Sequence, residues 1–86
     1  MKYSFPQFRR LANGKAVYSI EADMSMVEYQ ILGPYYFIYE ITGKILPERN
    51  LVYDILTCES DRWSVISKIE FEKFKNECEK DKERRQ

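Results

Sequence analysis

The stretch 27–42, VEYQILGPYYFIYEIT, constrains what this chain can fold into more than any other. Val27, Tyr29 and Ile31 alternate with Glu28 and Gln30, the period of two that marks a strand with one buried face. After Gly33-Pro34 the run 35–41, YYFIYEI, is aromatic and β-branched almost throughout, which favours strand over helix. Glycine tolerates backbone angles that other residues avoid and proline cannot donate to a ladder, so the pair between the two runs reads as a turn. In the second strand Tyr35, Phe37, Tyr39 and Ile41 face one way, and Tyr36, Ile38, Glu40 and Thr42 the other. A window this apolar is an aggregation hazard on a sheet edge. Its expected place is therefore the centre of a sheet, covered on both sides.

Upstream, residues 3–11 can form a first strand, which Pro6 confines to an edge or delays. Asn13-Gly14 is a strong hairpin signal because both residues accept positive φ. Residues 15–22 return with Ala16, Tyr18, Ile20 and Ala22 on one face and Val17, Ser19 and Glu21 on the other. Asp23-Met24-Ser25 reads as a turn.

Downstream, Leu46 precedes Pro47 and is held extended. Residues 50–58 fit a helix by the spacing of Leu51, Val52, Ile55 and Leu56. The weak helix propensity of Val52, Tyr53 and Ile55 tips the reading to a strand or irregular segment. Residues 63–66 suit a short strand. Ser67-Lys68-Ile69-Glu70 then has the form of a capping box, with Ile66 and Phe71 placed for a hydrophobic staple. The helix it starts carries Phe71, Phe74 and Cys78 on one stripe, with Ile69 beside it. Beyond Cys78 only the charged run EKDKERRQ remains, with pairs such as Glu79–Lys82 and Asp81–Arg85 and an end expected to fray.

These elements predict one α+β domain over residues 1–78 with a charged, helical tail at 79–86. Its architecture is a meander of four or five antiparallel strands, curved or partly closed into a barrel, with one C-terminal helix packed on one face. One helix cannot cover both faces, so the second must be closed by curling, by residues 45–58, or by another copy of the chain. That makes a homodimer through Tyr36 and Ile38 the expected self-interface.

The chain has 86 residues, 14 basic and 14 acidic side chains and no histidine. Net charge zero gives no global attraction to nucleic acid or an anionic membrane. Charge is nonetheless uneven: residues 1–67 hold seven basic and eight acidic side chains, and 68–86 hold seven and six. No apolar run is long enough to span a bilayer and the first residues lack a secretory signal's apolar core, so a cytoplasmic protein is expected. In that compartment Cys58 and Cys78 are expected as free thiols.

Without histidine, the commonest general base and metal ligand is missing. No phosphate loop, zinc knuckle or nucleophile elbow occurs. Asp54, Glu59 and Asp61 are expected to be solvated turn residues, and Trp63 to pack over Phe71 and Phe74. No enzyme, cofactor or metal follows. The leading expectation is a non-enzymatic interaction module that self-associates through an aromatic sheet face. The alternative is a single-stranded nucleic-acid binder using Phe8, Arg9, Arg10 and Lys15 around the first hairpin, where aromatic and basic residues interleave. Glu21, Asp23 and Glu28 nearby weigh against it.

Overall fold

The computed structural model describes residues 4–22 and 25–84, with side chains described up to residue 80. Tyr3, Asp23, Met24 and the last two residues, which the sequence reading placed in the first strand, a turn and the tail, lie outside the described residues. The described chain runs β1 (Gln7–Leu11), β2 (Ala16–Ala22), β3 (Ser25–Leu32), β4 (Tyr35–Ile41), α1 (Leu46–Thr57), β5 (Trp63–Val65) and α2 (Lys68–Arg84). The strands form one antiparallel sheet in the order β4-β3-β2-β1-β5. Pro6 delays β1, which starts at Gln7 and lies inside the sheet rather than on its edge.

Both hairpins form, each by its own chemistry. Leu32 pairs with Tyr35, so Gly33-Pro34 is a two-residue loop. Gly33 has φ +61° and proline is fixed at negative φ, a combination that leaves the type II′ turn. In the first hairpin only Gly14 takes positive φ, at +75°. Its N–H donates to the Leu11 carbonyl at 2.8 Å while the Asn13 side chain accepts from the Lys15 N–H at 2.9 Å. Asn13 thus serves as a side-chain turn former rather than a second left-handed residue.

Three expectations change. The sheet is open rather than barrel-like. Residues 46–57 are a helix, so two helices rather than one pack on it. The strand 35–41 lies at the sheet's edge rather than its centre. The cause of the second change is burial overriding a weak propensity. Val52, Ile55 and Leu56, at i, i+3 and i+4, are all buried. Pro47 and Glu48 suit the first turn, and Cys58 ends the helix in a left-handed conformation, φ 53°, with its N–H on the Asp54 carbonyl. The helix also explains the third change. Twelve residues span about 18 Å, close to the ~19 Å across four strand spacings. α1 therefore carries the chain back across the sheet, and β5 adds to β1, with Arg9 opposite Val65 and Leu11 opposite Trp63.

Two cores result. On one face Tyr18, Ile20 and Met26 pack with Val52, Ile55 and Leu56 of α1 and with Trp63. On the other, Val17 and Tyr29 pack with Phe71 and Cys78 of α2. Phe71 stacks on Phe8 with centroids 4.7 Å apart and meets Tyr29 edge-on at 5.5 Å. The Ser67 hydroxyl accepts from the Glu70 N–H at 3.1 Å, and Ile66 packs in the same core as Phe71, as the cap and staple predict. Ile69 is exposed instead of joining the stripe. Trp63 is buried, but beside α1 rather than over Phe71 and Phe74, because the alternation of β5 turns it to that face. Cys58 and Cys78 belong to opposite faces, and no disulfide joins them.

Candidate interaction surface

An exposed aromatic surface follows from β4 being an edge. Its alternation sends Tyr35, Phe37 and Tyr39 to the α1 side, opposite Leu32, Gln30 and Glu28 of β3. On this half of the face Met26 of β3 and Ile41 of β4 belong to the α1 core, whereas Leu32, Tyr35 and Tyr39, towards the Gly33-Pro34 turn, stay exposed. Tyr35 is 52% exposed and Tyr39 43%, and Leu32 beside them is exposed as well. Phe37 stacks on Tyr39 at 6.0 Å with the rings 16° from parallel, and Tyr35 tilts against Phe37 at 6.5 Å. Three rings thus form one row along the strand.

Tyr36 and Ile38, the self-interface expected from the sequence, point to the α2 side. Tyr36 is half-buried against the core of Phe71 and Cys78, and Ile38 remains 39% exposed at the edge. Alternation fixes which residues share a side, and it leaves open which side a helix will cover.

The backbone of β4 is open on its outer side. The Ile31 N–H donates to the Lys15 carbonyl at 2.7 Å, so residue 31 bonds towards β2 and residue 32 towards β4. In an antiparallel ladder these directions alternate. Tyr35, Phe37, Tyr39 and Ile41 therefore bond to β3, while the N–H and C=O groups of Tyr36, Ile38 and Glu40 point outward.

Behind the aromatic row, the sheet carries a polar row across four strands, Arg9, Tyr18, Glu28 and Tyr39. Arg9 is only 4% exposed. Its guanidinium donates to the carbonyls of Leu56 at 3.0 Å and Phe8 at 2.8 Å and to the Gln7 side chain, while its Nε is unpartnered. Arg9 thus holds the C-terminal end of α1, where carbonyls are left over and a cation is favoured. Burial, and then the Glu28 carboxylate beside it, raise the Tyr18 hydroxyl far above its ordinary pKa. The indole N–H of Trp63 is buried near the Tyr18 hydroxyl, and no acceptor meets it in hydrogen-bond geometry.

The four residues of the nucleic-acid alternative do not share a surface. Phe8 is stacked on Phe71 and Arg9 is buried under α1, on opposite faces of the sheet, because neighbours along a strand alternate. Arg10 and Lys15 are exposed. Asp54 and Glu59 line an open cleft of about 330 Å³ beside Trp63, whose ring lies 5.0 Å from the Arg62 guanidinium. Among the described residues no group of three side chains is arranged to hold a metal ion, and no helix is long and apolar enough to cross a membrane.

The aromatic row 35–37–39 was visible in the sequence as a set sharing one side, and its exposure was not. Comparison with protein-family models, curated proteins and solved structures returned no match.

Proposed function

We propose that this chain is a non-enzymatic interaction module that self-associates through the aromatic side of β4. The observation that carries the reading is the row of Tyr35, Phe37 and Tyr39, its outer two rings exposed and Phe37 half-buried between them, on an edge strand with outward-pointing backbone groups. Exposed apolar patches of this kind mark contact surfaces on soluble proteins. The lack of histidine in the sequence supports a role in contact rather than catalysis. Net charge zero means that like-charge repulsion between copies is small.

Light scattering during size exclusion, from about 1 μM to about 1 mM, should show mass rising from one chain to two, as expected for an interface of modest area. Phe37→Lys should hold the mass at one chain with the circular dichroism spectrum unchanged. A wild-type chain that stays monomeric over the whole range would overturn the reading. The nucleic-acid alternative keeps Arg10 and Lys15 as its exposed contacts, and no observation favours it.

A further inference from the structure

Resting on that self-association, we infer how the second copy docks: edge to edge, with the two β4 strands antiparallel about a two-fold axis through Ile38. Two five-stranded sheets then become one continuous sheet of ten. The competing arrangement is face to face, with the aromatic rows of two separate sheets stacked on each other.

Three features favour the edge. The first is the lack of protection. Sheet edges are commonly blunted by shortness, bulges, lysine or proline. β5, at the other edge, has three residues. β4 has seven, pairs with β3 without a bulge, and contains neither lysine nor proline.

The second is the register. A two-fold axis normal to the sheet keeps each side chain on its own face and pairs every residue with its mirror position about the axis. Centred on Ile38, the whole of β4 pairs with itself: Tyr35 opposite Ile41, Tyr36 opposite Glu40, Phe37 opposite Tyr39 and Ile38 opposite Ile38. The outward-bonding residues, 36, 38 and 40, then meet each other and exchange both hydrogen bonds in every pair. Moving the axis to Phe37 places Pro34, which has no N–H, opposite Glu40. Moving it to Tyr39 leaves Tyr35 opposite Gly43, beyond the strand. The Ile38 register also places each Phe37–Tyr39 stack beside the partner's Tyr39–Phe37 stack, giving four rings across the seam, and keeps Glu40 away from its own copy.

The third is area. An aromatic side chain buries about 150–250 Å² when fully covered. Tyr35 and Tyr39 are about half-exposed and Ile38 is 39% exposed. Covering them with the strand backbone removes on the order of 1,000 Å² from both copies together, the lower limit of specific interfaces. A second copy supplies that area without another partner, and the dimer it makes is reversible.

The test is disulfide trapping in full-length protein carrying Cys58→Ser, which leaves Cys78 buried at 1% exposure. Hydrogen-bonded residues facing each other in such a ladder have Cα atoms about 5.5 Å apart, within disulfide range. Ile38→Cys should give a covalent dimer on mild oxidation. Glu40→Cys, about 13 Å from its own copy in this register, should not. Ile38→Pro removes only an outward N–H and should leave the monomer folded. It should weaken the dimer about tenfold through the loss of two hydrogen bonds. A wild-type dimer in which Ile38→Cys fails to cross-link and Ile38→Pro leaves the mass unchanged overturns the edge register and leaves self-association standing. A wild-type monomer overturns both.

Discussion

α2 crosses its face of the sheet against β1, β2, β3 and β4, whereas the α1 core takes in Met26 and Ile41 but leaves the turn end of the β3–β4 hairpin exposed. The two helices differ in what the chain asks of them. α2 is terminal to the sheet, 17 residues long, and spans about 25 Å, more than the width of five strands. α1 has 12 residues and must also join β4 to β5, so its path is set by the connection as well as by the surface beneath it. The chemistry of the two cores follows. The α2 face is anchored by aromatic packing of Phe71 on Phe8 and Tyr29. The α1 face is closed by aliphatic residues, Trp63 and the buried guanidinium of Arg9 at the helix end. The exposed turn end of the β3–β4 hairpin shows that an aromatic run can form a strand without wholly entering the core.

That contrast can be broken first on the closed face. Phe71→Ala removes the ring on which the α2 side is built, 5% exposed and touching two other aromatics, and should cost about 3–5 kcal/mol in urea unfolding. For a domain of this size that approaches the whole stability. A loss below about 1 kcal/mol would mean that α2 contributes little to closing its face.

Ile55→Ala tests the half-closed face. Ile55 is fully buried under α1, and its truncation should cost about 2–4 kcal/mol, less than the aromatic on the other side. If the loss instead exceeded that of Phe71→Ala, α1 would be the principal closure and the comparison would have to be reversed.

The smallest effect is read in alkali and sharpens the polar row. The folded-state pKa of Tyr18 lies above its ordinary 10.0, mainly through burial and then through Glu28. A raised value means that the folded chain holds this proton more tightly than the unfolded one. Its contribution is therefore fully present below about pH 10 and is lost as pH rises beyond it. Unfolding free energy should fall above that pH, and Tyr18→Phe should make the fall shallower. Part of the slope will remain, because burial also raises Tyr29. An alkaline limb unchanged by Tyr18→Phe would place the responsible proton elsewhere.

Much of the local structure was legible in the sequence because it depends on short-range chemistry. The two hairpins, the side-chain alternation of β2 to β4 and the Ser67 start of α2 follow from glycine, proline, asparagine and serine acting on neighbours within a few residues. The segment 46–57 was misread because Val52, Tyr53 and Ile55 have weak helix propensity. No local signal weighs that preference against burial of Val52, Ile55 and Leu56 on the sheet. At the candidate site, membership of the row was legible and its exposure was not. Tyr36 and Tyr35 are adjacent and chemically alike, yet one packs against the α2 core and the other faces solvent.

The sequence by itself determined that this chain makes antiparallel strands with Tyr35, Phe37 and Tyr39 on one side, and that a capped helix follows the last of them. Side-chain alternation and turn chemistry are properties of a few consecutive residues, so they survive without knowledge of the fold. Only the tertiary structure decided that β4 is an edge, that Arg9 and Phe8 are buried on opposite faces, and that the aromatic row is open. Those outcomes depend on where α1 carries the chain across the sheet and on which strand β5 then joins. They are contacts between residues far apart in sequence, for which burial gains outweigh local preference.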